Sequence, residues 1–240
     1  MKRYQIIYVD GKYIKADAQM LEAFTPGVFR AKGVFETMLA VGGKVFDVDL
    51  HLRRLHRAFK GVIVKSSVVK KIVEINRFDL SRVRVLAWQE GKKKHTAVMA
   101  LKYSLPKKKV FKVCLVKTLR QANNRWANTK SLDYKIFADA YHKARAKGFD
   151  EALLINREGF VFEASRANIF IFSEGKLITP PLSSGCLNGV TRQRVVQVAK
   201  QLKVPVVEQD LIVSMIESAT AAFLTNSLLG IKFFRLASRK

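Results

Sequence analysis

The chain has 240 residues, of which 49% are hydrophobic and 26% charged, and this balance indicates a folded globular protein rather than a disordered one. Its net charge of +25 comes from 44 Lys and Arg residues against 19 Asp and Glu residues, which is compatible with a polyanionic partner. However, the densest lysine runs, 92–94 and 107–109, flank strand-like segments as solvated ends, and no helix-turn-helix, RNA-binding strand or zinc-ligand spacing is present. A basic surface and an anionic small-molecule substrate are therefore expected, and nucleic-acid binding is kept only as a distant alternative.

The compartment follows from what the sequence lacks. No apolar run approaches the roughly 20 residues that a membrane-spanning helix needs. The short apolar run at 5–9 is followed at once by Asp10-Gly11, which is typical of a hairpin and not of a signal peptide. Two cysteines, Cys114 and Cys186, are too few for a disulfide framework. The sequence predicts a cytoplasmic protein without a membrane segment.

The N-terminal half reads as strands interrupted by two amphipathic helices. Apolar alternation predicts a hairpin at 4–9 and 12–17 and strands at 33–41, 82–89, 96–103 and 110–117, and helical spacing predicts one helix capped by Asp47 or Asp49 and another over 67–76. Residues 119–129 are polar and aperiodic, which is typical of a linker.

In the C-terminal half, Lys130 is expected to open a helix whose apolar face includes Leu132 and Ala140 and which ends near Gly148. The remaining pattern predicts strands at 152–156, 160–163, 168–172, 221–226 and 231–235, and helices at 191–202 and 211–218. Mixed strands and helices on both sides of one linker predict an α/β (α+β) protein with two lobes. The expected division is a small N-terminal domain, 1–118, a linker, 119–129, and a C-terminal domain, 130–240.

Three features stand in an order that suits one cofactor. Lys130 supplies an amine that can form an imine, and Glu163, on a strand, supplies a carboxylate that can pair with a pyridinium nitrogen. Gly189, Val190 and Thr191 begin a helix, and the free N–H groups of a helix N-terminus favour a phosphate. Pyridoxal phosphate needs these three attachments. Alternatively, Lys130 is a surface lysine, Glu163 is an outward residue of an alternating strand, and the helix start is an ordinary cap.

The sequences of these segments resemble motifs of fold-type IV pyridoxal-phosphate enzymes. This family includes branched-chain and D-amino acid aminotransferases and aminodeoxychorismate lyases. The likeness covers nearly the whole chain through GVFET at 33–37, HLRRL at 51–55, KSLDY at 130–134, DEALL at 150–154, EASRANIF at 163–170, LITP at 177–180, LNGVTR at 187–192 and FLTNS at 223–227. The resemblance implies a two-lobed homodimer with a cofactor cleft between the lobes, and no metal. It implies that Lys130 holds the cofactor as a Schiff base and shuttles a proton, and that Glu163 contacts the pyridine nitrogen. The remaining roles that it implies are phosphate binding by Arg54, Val190, Thr191, Asn226 and Ser227, and contact of Tyr134 with the 3′ oxygen.

The reaction is less determined than the cofactor. The segment 84–91 lacks the Thr-Arg-Gly or Arg-x-His motif with which family aminotransferases often bind a carboxylate. The segments 33–37 and 224–228 are most similar to the lyase branch of the family. The favoured hypothesis is a 4-amino-4-deoxychorismate lyase of folate biosynthesis, which gives 4-aminobenzoate and pyruvate, with Thr37 on the substrate side. An aminotransferase acting on branched-chain or related amino acids stays open, because Ala31, Ala164 and 219–221 depart from the family pattern.

Overall fold

The structure is a computed structural model that describes residues 4–26, 29, 31–118 and 128–237. The chain forms two compact units: Met1–Leu105 with Lys130–Tyr134, and Pro106–Thr129 with Lys135–Lys240. Both units combine strands with helices, which confirms the predicted mixed α/β class. Within the described ranges, the helices are all too short or too polar to cross a lipid bilayer.

The first unit is built around a six-stranded antiparallel sheet in the order β2-β1-β6-β5-β3-β4. Its elements are β1 (Gln5–Val9), β2 (Lys12–Ala16), α1 (Ala18–Ala23), β3 (Lys32–Val41), β4 (Lys44–Val45), α2 (Val48–Ala58), α3 (Ser66–Asn76), β5 (Leu80–Glu90) and β6 (Lys93–Lys102). The hairpin, β3, β5, β6 and both amphipathic helices confirm the sequence predictions, whereas α1 has too few residues to show a helical period. The even-numbered side chains of β3 face α2 and α3, and the odd-numbered ones face the opposite side.

The second unit is built around an eight-stranded mixed sheet in the order β12-β11-β10-β13-β14-β7-β8-β9. Its elements are β7 (Phe111–Lys117), α4 (Lys135–Ala146), β8 (Glu151–Ile155), β9 (Val161–Ala164), β10 (Asn168–Ser173), β11 (Lys176–Thr179), a 3-10 helix (Leu182–Ser184), α5 (Val190–Gln201), β12 (Val206–Glu208), α6 (Val213–Ser218), β13 (Ala221–Asn226) and β14 (Gly230–Leu236). One face of the sheet packs against α4 and α5, and the other buries a core that includes Phe111, Ile169 and Phe234.

The units divide the chain differently from the predicted lobes. Strand β7 was expected in the N-terminal lobe, but it pairs with β14 and β8 in the second sheet. Alternation of apolar residues identifies a strand without identifying its sheet, so the sequence could not have located β7. Residues 119–127 of the expected linker lie outside the described residues, and the predicted division at 119–129 stays a prediction.

The prediction that Lys130 opens a helix is wrong, because α4 begins five residues later, at Lys135. Lys130 instead lies in a short extended segment that pairs with the free edge of β3. The amide of Phe35 donates to the Lys130 carbonyl, and the amide of Leu132 donates to the Gly33 carbonyl, both over 2.9 Å. Leu132 is therefore part of the first unit's core and not of the α4 face to which its spacing had assigned it.

Gly33 makes this pairing possible because it has no side chain. A Cβ at this position would collide with the Ala87 carbonyl oxygen, and it would approach Leu132 Cδ1 and Trp88 Cα to 2.8 Å each. Leu132 thus occupies the space that a side chain at position 33 would need. The absence of one methyl group lets the chain carry Lys130 against β3.

We expect Gly33→Ala to lower the free energy of unfolding by about 1–3 kcal/mol, because two of the colliding groups are backbone atoms that cannot rotate away. Urea denaturation of the purified protein measures the change. Lys32→Ala, at the exposed neighbouring position of the same strand, is the matched control and should change stability by less than about 0.5 kcal/mol. Similar losses in both variants would show that the close packing at Gly33 contributes nothing specific.

Candidate active site

In the first unit, Lys130 places its amine over an aromatic ring. Its Nζ lies 4.3 Å from the ring centroid of Phe35 and 5.7 Å from that of Tyr134. Tyr134 meets Phe35 edge to face, with centroids 5.3 Å apart. The amine is therefore held on the β3 face formed by odd-numbered residues, with Tyr134 as its neighbour, as expected for groups that act together.

Thr37 and Arg84 lie on the same face of the sheet as Phe35. Thr37 follows Phe35 by two residues on β3, and its cross-strand partner on β5 is Arg84. The Thr37 side chain is partly exposed, whereas Arg84 is only 5% exposed. This arrangement puts a hydroxyl and a guanidinium on the side of the sheet that also carries the Lys130 amine.

Arg84 is a buried cation that lacks a carboxylate partner among the described residues. Its Nη1 donates to the Phe24 carbonyl over 3.1 Å and to Thr25 Oγ1 over 3.2 Å, and its Nε has no acceptor within the described part of the chain. Burial, followed by repulsion from Arg82, lowers the pKa of Arg84 to about 9. Buried guanidinium groups are normally paired, so an anion brought by a ligand would relieve this position.

Aromatic rings surround the end of β5 beyond Arg84. Trp88 lies 5.1 Å from Phe29 and 5.8 Å from Phe24, measured between ring centroids, and it stacks on His95 at 5.3 Å. Phe24 also provides the carbonyl that Arg84 contacts. The face thus combines flat apolar groups with one buried cation.

On the opposite face of β3, Arg54 is bound by Glu36. Arg54 Nε donates to Glu36 Oε1 and Arg54 Nη2 donates to Glu36 Oε2, both over 2.7 Å, and His51 Nδ1 also lies 2.7 Å from Oε2. Burial alone would raise the pKa of Glu36, but the charge of Arg54 and hydrogen bonds from Arg54 and His51 outweigh burial and lower the pKa to about 2. Glu36 is therefore an ionised, buried carboxylate at neutral pH.

In the second unit, Glu163 lies on β9 and is 5% exposed, so its interpretation as an outward residue of an alternating strand is wrong. Its Oε2 accepts a hydrogen bond from the amide of Leu187 over 3.1 Å. The carbonyl of Leu187 in turn accepts from Asn168 Nδ2 over 2.7 Å. One side chain from β9 and one from β10 therefore hold Leu187, two residues before the cap of α5.

Helix α5 begins immediately after this point, with Gly189 as its cap residue. Gly189 provides no capping side chain, and a Cβ there would collide with Asn168 Oδ1. The first amides of the helix belong to Val190 and Thr191, the two residues to which the sequence assigned phosphate binding. Glycine is required at this position because the Asn168 side chain occupies the space that a Cβ would need.

Asn226 and Ser227 were also expected at the phosphate; Asn226 is the last residue of β13, and Ser227 follows it. The Asn226 side chain accepts from the amides of Leu228 and Leu229 over 3.0 and 2.8 Å, and it donates to the Arg166 carbonyl over 3.0 Å. Asn226 thus organises the turn that contains Ser227. The Asn226 side chain therefore stabilises the conformation of that turn.

Two other residues of this region are structural. Arg192 is 4% exposed and donates to the Pro180 carbonyl over 3.1 Å and to Glu208 over 2.8 Å, which ties α5 to its neighbouring strands. Burial, followed by repulsion from the Glu163 charge, raises the pKa of the Cys186 thiol to about 12. Cys186 is therefore a neutral packing residue and not a nucleophile.

The sequence reading missed Glu36, Arg84 and Asn168. Glu36 was part of a recognised motif, and its position on the α2 face of β3 could have been matched with Arg54 and His51, which lie one helical turn apart. Arg84 offered a clearer signal, since it interrupts an otherwise apolar run between Val83 and Trp88. The contact between Asn168 and Gly189 joins residues far apart in sequence, and only the fold reveals it.

We expect a fall in pH to lower the free energy of unfolding of the wild type more than that of the Glu36→Gln variant. A carboxyl whose pKa falls from an ordinary 4.5 to about 2 on folding contributes stability that is complete above pH 4.5 and is lost as the pH falls through about 2. Between pH 6 and pH 3 this loss is on the order of 2 kcal/mol for wild type and absent for Gln. Urea unfolding at the two pH values tests it. Equal acid sensitivity of the two proteins would contradict an ionised Glu36.

Comparisons with known proteins identify the family. The sequence model described as amino-transferase class IV matches residues 33–235. A protein of Methanocaldococcus jannaschii that carries the name branched-chain-amino-acid aminotransferase is 26% identical, over 92% of this chain and 84% of its own length. The aminodeoxychorismate lyase of Bacillus subtilis is also 26% identical, over 94% of this chain and 84% of its own length.

Among solved structures, the branched-chain aminotransferase of Thermoproteus uzoniensis with norvaline superposes with a TM-score of 0.87 at 26% identity, covering 99% of this chain and 89% of that one. The family model spans far more than half of the sequence, and the structural likeness extends over both units. The chain belongs to the class IV aminotransferase family, whose enzymes use pyridoxal phosphate.

Proposed function

We propose that this enzyme is a 4-amino-4-deoxychorismate lyase, which releases pyruvate and leaves 4-aminobenzoate. The observation that carries the proposal is Arg84, a buried cation without a carboxylate partner in the described residues, on the face of the sheet that holds Lys130. The substrate is an anion with a six-membered cyclohexadiene ring, which becomes flat and aromatic in the product. The rings of Trp88, Phe24 and Phe29 match the ring, and Arg84 matches a carboxylate.

The described residues fit the cofactor. In the first unit, Lys130 would hold its aldehyde carbon and Arg54 would bind its phosphate, with Tyr134 near the 3′ oxygen. In the second unit, the buried carboxylate of Glu163 would pair with the pyridine nitrogen. The amides of Val190 and Thr191 and the turn at Asn226 and Ser227 would bind phosphate oxygens. The observation that supports the phosphate assignment is the start of α5, where the cap residue Gly189 supplies no side-chain hydrogen bond to the first amides of the helix.

Bound pyridoxal phosphate withdraws electrons from the carbon that carries the substrate's amino group. Lys130 Nζ, which lies 4.3 Å from the ring centroid of Phe35, would act as the general base that takes the proton from that carbon. The carboxylate of Glu163 would keep the pyridine nitrogen protonated, so that the ring could accept electrons. The Thr37 hydroxyl donates a hydrogen bond to the oxygen through which pyruvate leaves, and Arg84 fixes the carboxylate so that this oxygen faces Thr37.

An aminotransferase acting on branched-chain amino acids is the second candidate. The likeness to the T. uzoniensis enzyme with norvaline and to the M. jannaschii protein favours it. Arg84 would then bind the distal carboxylate of a dicarboxylic amino-group acceptor, and the aromatic rings would contact an apolar side chain. The predicted homodimer, the role in folate biosynthesis and the cytoplasmic location remain predictions in either case.

Lys130→Ala is expected to abolish covalent capture of the cofactor. Wild type incubated with pyridoxal phosphate and reduced with borohydride should gain the mass of one reduced cofactor per chain, and the variant should gain none. Lys135→Ala removes an exposed lysine five residues away and should behave as wild type. A variant at position 130 that still gained the mass at a single site would refute the assignment.

The reaction itself can be tested by product. Holoenzyme supplied with 4-amino-4-deoxychorismate should release pyruvate and 4-aminobenzoate in equal amounts, detected by lactate dehydrogenase and by fluorescence. Arg84→Met should lower kcat/KM at least 100-fold, because a fixed carboxylate contact in a dry site contributes about 3 kcal/mol. Lys102→Met, an exposed cation on the adjacent strand, is the control. Glutamate formation from L-leucine or L-valine with 2-oxoglutarate, without pyruvate release, would instead support the aminotransferase.

A further inference from the structure

We infer that Glu36 is a positioning residue that orients the guanidinium of Arg54, so that a phosphate group meets the edge of the guanidinium opposite Glu36. This inference rests on the proposed assignment of Arg54 to the cofactor's phosphate. It adds a residue whose part is exerted through Arg54 and not by contact with the cofactor.

The geometry supplies the first step. Glu36 is 1% exposed and binds Arg54 through two parallel hydrogen bonds, from Nε and from Nη2, each of 2.7 Å. Such a two-point contact fixes both the position and the plane of a guanidinium. It uses two of the five N–H groups of the side chain. The contact therefore also fixes the direction in which the edge formed by Nη1 and Nη2 points, and this is the edge that can donate to a second two-point acceptor.

His51 supports the carboxylate from a third direction. Its Nδ1 lies 2.7 Å from Glu36 Oε2, and the ring is 1% exposed. Because an ionised carboxylate can only accept, Nδ1 must carry the proton. Glu36 therefore cannot rotate without breaking hydrogen bonds to both His51 and Arg54. The orientation of Arg54 is set by a carboxylate that is itself fixed.

Charge and orientation predict opposite results when Glu36 is neutralised. With the pKa of Glu36 at about 2, the Glu36–Arg54 pair carries no net charge at neutral pH. If Arg54 attracted phosphate by charge alone, Glu36→Gln would uncover a full positive charge and strengthen phosphate binding. If orientation dominates, the same change weakens it, because one of the two carboxylate oxygens becomes an NH2 group that faces a donor of Arg54 or His51.

The experiment compares pyridoxal phosphate with pyridoxal, which has the same ring and aldehyde but lacks the phosphate. Dissociation constants are measured by absorbance titration at pH 7.5 for wild type, Glu36→Gln and Arg54→Met. In Glu36→Gln we expect the preference for the phosphorylated form to fall at least 10-fold, while affinity for pyridoxal changes less than 2-fold. An unchanged or increased preference would overturn the inference.

Asp150→Asn is the matched control. Asp150 is also a buried carboxylate, 6% exposed, and it pairs with Lys108 and Arg145 over 2.8 and 3.1 Å in the second unit. Its loss should cost stability without altering the preference for the phosphorylated form. If Asp150→Asn lowered that preference as much as Glu36→Gln, the effect of Glu36 would be a general consequence of breaking an ion pair, and the inference would fail.

A double-mutant cycle separates this inference from the proposed function. In the Arg54→Met background, Glu36→Gln should have no further effect on the preference, since the group that it orients is gone. A wild type without any preference for the phosphorylated form would refute the assignment of Arg54, and with it this inference. A preference lost in Arg54→Met but kept in Glu36→Gln would refute only the role of Glu36.

Should Glu36→Gln fail to fold, Glu36→Asp and His51→Leu test the same point. Asp keeps the charge but is too short for both contacts with Arg54, and Leu removes one of the donors that fix Glu36. Each is expected to lower the preference at least 3-fold at unchanged affinity for pyridoxal. A preference kept by both variants would contradict the inference.

Discussion

Two backbone hydrogen bonds to the edge of β3 are the constraint on which the chemistry of the first unit depends. They join the Lys130 carbonyl to Phe35 and the Leu132 amide to the Gly33 carbonyl. A short bridge of this kind stabilises little by itself. It persists because Leu132 is buried against Gly33, and the core thus anchors the segment from which the Lys130 side chain projects.

Each unit holds its polar groups by pairing them with groups of its own fold. In the first unit, the ionised Glu36 receives hydrogen bonds from Arg54 and His51, and no water is needed to stabilise the charge. In the second, Glu163 receives the Leu187 amide. Arg84 differs from Arg192, the other buried arginine of the described residues, because its guanidinium faces carbonyl and hydroxyl oxygens and no carboxylate. That imbalance is what a ligand can correct.

The sequence predicted most strands, because burial imposes a local pattern on each of them. Apolar residues such as Phe35 and Met38 mark the two faces of β3, and Leu154 lies in the continuous apolar run of β8. The motifs of the sequence also resemble those of a family to which the chain belongs, and this resemblance implies cofactor roles for Lys130, Glu163 and Thr191 that stay predictions. The sequence could not predict that Lys130 lies next to a β-bridge between Ser131 and Val34, because helical spacing from Leu132 to Ala144 is equally consistent with a helix that starts earlier. Pairing of β7 with β14 and contact of Asn168 with Gly189 depend on residues more than 20 positions apart, which no local pattern encodes.

Both backbone polar groups of Leu187 are hydrogen-bonded. Its N–H donates to Glu163, and its carbonyl accepts from the Asn168 side chain and from the amide of Gly189. The carboxylate on β9 and the first turn of α5 are consequently parts of one rigid body joined through three consecutive residues. A displacement of Glu163 would therefore be transmitted through Leu187 to Gly189, at the start of the helix. The hydrogen bonds around Leu187 therefore keep the distance between the Glu163 carboxylate and the first amides of α5 constant.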